Sequence, residues 1–162
     1  MSASKSTTWA AIAISIVALT LAGSTLLIRP STPVTGPTTH TFTITAREFG
    51  FDVTGDTSGA NPTIRVKAGD LVKITFKNGG GLAHEFMVVE DKDDAIGTEK
   101  GGKEAELPFG FEIADVDPGQ ERTVTFIASH SGDFFYVCLE DAGTAPKLHA
   151  ENGMFGQFIV EP

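Results

Sequence analysis

The sequence predicts an all-β domain, a sandwich or a barrel, behind one N-terminal apolar helix. Three observations predict it. From His40 onward, short runs alternate between apolar and polar residues, the period of a half-buried strand. Turns rich in Gly and Pro separate those runs at close spacing. No helical period appears after residue 28.

Residues 1–8 are short and polar, with Lys5. Residues 9–28, WAAIAISIVALTLAGSTLLI, are twenty residues without a charge, the length of a membrane-spanning helix. Lys5 on the short flank favours an inside N-terminus, although Arg29 on the far side weakens that argument. The rival reading is a cleaved signal peptide, with Ala22-Gly23-Ser24 offering small residues of the right kind. The signal anchor is the preferred reading of residues 1–28. Either way the remainder lies outside the cytoplasm, periplasmic or extracellular, and is secreted if the segment is cut. Residues 29–39, RPSTPVTGPTT, form an extended Pro/Thr-rich linker.

Residues 40–162 make up the domain. Residues 41–46 alternate, and Phe49 and Phe51 are expected to prolong that strand. Residues 63–67 and 71–77 alternate on either side of the turn Ala68-Gly69-Asp70. Asn78-Gly79-Gly80-Gly81 ends the latter strand, and residues 84–89 form the next. The turn Asp117-Pro118-Gly119-Gln120 leads into a strand at residues 121–128, and residues 134–138 and 155–160 complete the set. Residues 91–106, charged and Gly-containing, are expected to be a solvated surface loop with room for one helical turn. Asp91 and Asp93 have calcium-loop spacing, but Ala95 and Ile96 stand where a ligand and the required glycine belong, which excludes it.

Formal net charge is −9; the N-terminal 28 residues hold one Lys and no acid, which leaves −10 for the rest. So acidic a surface argues against nucleic acid or anionic lipid as the main partner and favours a partner with a basic face. The single cysteine excludes an internal disulfide.

The end of the chain carries the chemistry. In GDFFYVCLEDAGTAPKLHAENGMFGQFIVEP, Cys138 ends an aromatic strand-like run, His149 follows in a polar loop, and Met154 comes after four further residues. Each alone has an ordinary reading: a small buried thiol, a loop histidine, a core methionine. Together they offer thiolate, imidazole and thioether, and His84 in Ala83-His84-Glu85-Phe86 supplies a second imidazole. Thiolate and thioether favour Cu(I) while imidazole suits both oxidation states, so His84, Cys138, His149 and Met154 are the ligand set of one type I copper ion. His40 and His130 are expected to be solvent histidines.

On Tyr136-Val137-Cys138, His149 and Gly153-Met154-Phe155-Gly156, the chain resembles the cupredoxins, the small blue copper proteins, most of all the rusticyanin and sulfocyanin type. The resemblance covers about residues 40–162. It implies a Greek-key β-sandwich and one-electron transfer outside the cytoplasm, with the same four residues on the family's ligand positions. It also implies electron passage through an exposed edge of His149, ringed by Leu139, Pro146, Leu148 and Phe155. Ten residues separate Cys138 from His149, more than in most single-domain members, and Glu85 stands where many relatives have Asn or Ser. Its carboxylate is expected to point to water.

The function expected is a membrane-tethered carrier of single electrons between redox proteins, such as a cytochrome or an oxidase. Copper delivery or storage is the alternative, weakened by the lack of a Met-rich tract. An enzyme is not expected: Val137, not His, precedes Cys138, and four histidines leave too few for a catalytic copper.

Overall fold

The computed structural model describes residues 36–99, 101, 106–143 and 147–162. The expected anchor at residues 1–28, most of the linker and Pro146 lie outside them. Among the described residues no helix is long and apolar enough to cross a membrane.

Ten strands build two five-stranded sheets among those residues. They are β1 (Thr39–Arg47), β2 (Gly50–Gly55), β3 (Gly59–Ala60), β4 (Ile64–Lys67), β5 (Leu71–Asn78), β6 (His84–Val89), β7 (Glu112–Val116), β8 (Glu121–Ile127), β9 (Gly132–Val137) and β10 (Phe155–Glu161). One sheet runs β3-β2-β1-β5-β8 and the other β4-β10-β9-β6-β7. The β1–β5 and β4–β10 pairs are parallel and the rest antiparallel.

Alternation sets the inner faces. β1 buries Phe42, Ile44 and Ala46, and β5 buries Val72, Ile74 and Phe76. Phe51, Phe76, Phe86 and Tyr136 meet at the centre, with ring centroids 5.4–6.3 Å apart in the pairs that Phe51 makes. Aromatic pairs of this kind contribute about 0.5–1.5 kcal/mol each beyond their buried area. β6 is different, because all six of its residues are buried. Phe86 and Val88 face the main core, while Met87 and Val89 join Ala95, Val137, Leu139, Leu148 and Ala150 in a second cluster on the outside of the sheet. A strand covered on both faces has no polar side, which is why residues 84–89 carry no alternation.

Two expectations change, and the strand β7 goes unread in the sequence. Residues 92–99 form a helix, α1 (Lys92–Glu99), in the segment expected to be a loop. Asp91 caps it, its Oδ1 accepting the N–H groups of Asp93 and Asp94 at 2.7 and 3.1 Å. Only Ala95 of the helix is buried, so two turns leave no amphipathic period to read. Phe49 and Phe51 do not prolong β1; the chain reverses at Glu48 and Phe49, and β2 pairs back with Arg47 opposite Gly50. Finally, β7 pairs with β6 through a bulge: His84 opposes Val116 and Phe86 opposes Ile113, so two residues of β7 face Glu85 alone.

Candidate metal centre

His84 opens β6, and the loop before it is held by Asn78. The buried Asn78 side chain donates to the carbonyls of Leu82 and Val116, both at 2.7 Å, and accepts the Gly80 N–H at 2.8 Å. That amide therefore ties the approach to His84 to the end of β7.

Cys138 follows β9, and the chain then leaves the sheet and returns at β10. Backbone bonds close this loop on itself. The Cys138 N–H donates to Met154 O at 3.2 Å, Ala150 N–H to Cys138 O at 2.8 Å, His149 N–H to Glu140 O at 3.0 Å and Met154 N–H to His149 O at 3.1 Å. The left-handed Gly153 ends the short 3-10 turn after His149, and its carbonyl accepts from Asn61 Nδ2 at 3.1 Å. Asn61 also accepts the Phe51 N–H at 2.7 Å, so one amide ties β2 to the loop.

These supports bring three donors together. Cys138 Sγ lies 3.3 Å from His149 Nδ1 and 3.8 Å from His84 Nδ1. The three donor atoms lie within 4.8 Å of one another, and all three residues are buried. Met154 is fully buried and is bonded through its backbone to both Cys138 and His149. Three of the four candidate ligands, separated by up to 65 positions in the chain, thus converge. The Nε2 atoms of both histidines are buried without a partner, so the rings turn their Nδ1 sides, not their Nε2 sides, toward the thiol.

Electrostatics favours a metal there. Burial, then the proximity of His149, lowers His84 to about 4. Burial also lowers His149. Both imidazoles are therefore neutral at ordinary pH, the form that ligates. Burial pushes the Cys138 thiol up to about 12, against the opposing pull of the Glu85 and Glu140 N–H groups. A thiol in such a place ionises only when a cation takes the proton's position. One soft thiolate, one thioether and two neutral imidazoles fit copper.

Two expectations about the surroundings are overturned. His149 is not exposed, and Leu139 and Leu148 are buried in the second cluster instead of ringing an open edge. The Glu85 carboxylate does not point to water. It is buried, and its Oε1 accepts the Leu139 N–H at 2.6 Å. Burial raises it to about 8. The Glu85 backbone N–H donates to Cys138 Sγ at 3.5 Å, a bond any residue but proline can make, so Glu is tolerated where its side chain binds the loop. His130 is exposed as expected, whereas His40 lies between Asp56 and Asp70 at 2.9 and 3.0 Å.

Residues 31–162 match the multicopper oxidase family. The chain belongs to that family, as a cupredoxin. The copper-containing nitrite reductases of Neisseria meningitidis and Neisseria gonorrhoeae are 32% identical to it over 117 residues, 72% of this chain and 25% of theirs. The cupredoxin therefore spans about a quarter of the length of these curated relatives. Among solved structures, rusticyanin from Thiobacillus ferrooxidans is similar with a TM-score of 0.53 and 24% identity, over 79% of this chain and 84% of that one. Dithionite-reduced auracyanin from Roseiflexus castenholzii gives 0.52 and 20%, over 78% and 98%. These likenesses are of fold. With the donor set, they make this a type I copper cupredoxin.

Proposed function

We propose that this cupredoxin carries single electrons between redox proteins at the outer face of a membrane, through copper held by His84, Cys138, His149 and Met154. The observation that carries the reading is the buried convergence of Cys138 Sγ with two histidine Nδ1 atoms on a loop closed by its own backbone bonds. Copper bound there supplies the Cu(II)/Cu(I) couple. The chain's part is to keep the same donors in the same places in both states, so little rearrangement accompanies the electron. Buried donors suit electron transfer better than substrate turnover. We assign no enzymatic step to this chain.

The partner we propose is a redox protein with a basic docking face. Beside the copper loop, burial and then the carboxylates of Asp115, Glu112 and Glu99 raise Glu140, which marks a crowded acidic surface. Such a surface steers a basic partner by long-range attraction that salt screens. The apolar segment at residues 9–28 supports the tether.

Stopped-flow mixing of the reduced copper-loaded chain with a basic oxidised cytochrome tests this. We expect electron transfer whose rate falls as salt rises. A chain that small oxidants oxidise but that passes no electron to protein partners, and instead yields its copper to a copper-free acceptor, contradicts the carrier reading in favour of delivery.

A further inference from the structure

We propose that the two-residue turn between β1 and β2 is a cap on the metal centre, with Phe49 the side chain that closes His149 off from solvent and foreign ligands. The inference rests on the copper reading above.

His149 sits in a polar loop, yet it is fully buried and its Nε2 has no partner. Part of its cover comes from another element. The Phe49 ring stands edge-on to the imidazole, 5.4 Å between centroids at 76°. Phe49 is itself only half-buried, so its other side forms the outer surface of the site.

The backbone at Phe49 bears the same stamp. Among the described residues, three that are not glycine have positive φ: Phe49 at 64°, Asn61 and Asp115. Asn and Asp adopt this conformation readily, but a bulky aromatic does so at a cost. Gly50 stands one position too late to relieve it. Strain of this kind persists where the surroundings demand a particular side chain, and here that side chain covers a metal ligand.

Glu48 and Arg47 fix the other side of the turn. The Glu48 carboxylate accepts the Gly81 N–H, and Arg47 Nη1 donates to Gly79 O at 3.2 Å. A Cβ on Gly80 would meet Glu48 Oε1 at 2.8 Å and His84 Nε2 at 2.9 Å, and one on Gly79 would meet Arg47 Nη1 at 2.9 Å. Gly80 thus leaves room for both the turn and the His84 ring, and Gly79 lies against the end of β1. Glu48 and His84 thus flank Gly80 from either side, while Phe49 covers His149.

The test uses the copper-loaded full chain with Phe49→Gly and Phe49→Tyr. Azide and imidazole serve as foreign ligands and EDTA as the copper acceptor. In wild type and Phe49→Tyr, the Cu(II)–thiolate band should stay unchanged on adding azide or imidazole. In Phe49→Gly, the same additions should shift the band, and copper should pass to EDTA about ten- to a hundredfold faster. If Phe49→Gly does not fold, Phe49→Leu takes its place with the same expectation at smaller size. A folded variant that keeps the band, ignores azide and releases copper at the wild-type rate overturns the cap alone. A wild-type chain with copper and no band overturns the copper reading and the cap together.

Discussion

Asp70 shows how a single carboxylate can hold one end of this sandwich. It is almost fully buried, and its Oδ1 accepts the Thr38 N–H at 2.7 Å. Its Oδ2 accepts the Lys67 N–H at 2.9 Å and pairs with His40 Nε2 at 3.0 Å, while Asp56 faces the other ring nitrogen of His40. Burial alone would raise Asp70, but the bonds from Thr38, Lys67 and His40 outweigh it and hold the carboxyl below its ordinary value. A depressed carboxyl stabilises the fold above its unfolded value, near pH ~4, and that contribution disappears as pH falls through the lower folded value. Asp70→Asn should therefore cost roughly 2–3 kcal/mol at neutral pH, the scale of charge-assisted hydrogen bonds lost from a buried site. Urea unfolding across the acid range checks the sign: the variant should lose less stability than wild type as pH drops. An equal loss in both would place the acid sensitivity elsewhere. His40 looked like a solvent histidine in the sequence because its two carboxylate partners lie 16 and 30 residues away.

At the scale of elements, the pairing of β9 with β10 depends on one missing side chain. Gly156 lies opposite Tyr136, and a Cβ on it would fall 2.1 Å from the tyrosine oxygen. That hydroxyl donates to Pro62 O at 2.6 Å, joining β9 to the lead into β4. Gly156→Ala should displace the ring, break this bond and destabilise the fold by about 1–3 kcal/mol, as overpacking does. Thermal unfolding measures it, and an unchanged midpoint would show that the ring has room to move. Strands with one wet face were legible from alternation, which is why β1, β4, β5 and β10 fall close to where the sequence puts them. Elements whose signal lies in a partner were not. α1 buries one residue, β7 is short and bulged, and the β1–β2 reversal uses Phe49 where a turn of that hand normally uses glycine. The metal site divides in the same way. Its four candidate ligands were legible because their chemistry is rare in combination. Asn78, Asn61, Glu85 and Phe49 were not, because what each does is decided by neighbours brought close only by the fold.

Across the whole molecule, the two ends of the sandwich do different work. The chain enters β1 beside the Asp70 turn, where the starts of β1 and β5 and the ends of β4 and β10 meet. The donors gather at the other end, where β6 and β10 begin and β9 finishes. On the carrier reading, ligand positions fixed by backbone bonds, a capped histidine and an acidic flank would combine into a site that changes charge without changing shape. The claim on which all of this depends is that Cys138 binds copper as a thiolate. The measurement is the visible absorption of the purified chain loaded with Cu(II), taken before reduction, after mild reduction and after reoxidation, alongside Cys138→Ser. We expect one copper per chain and an intense thiolate-to-copper band that bleaches, returns and is absent from the variant. Stoichiometric copper without that band, or an unchanged spectrum in Cys138→Ser, would contradict the account.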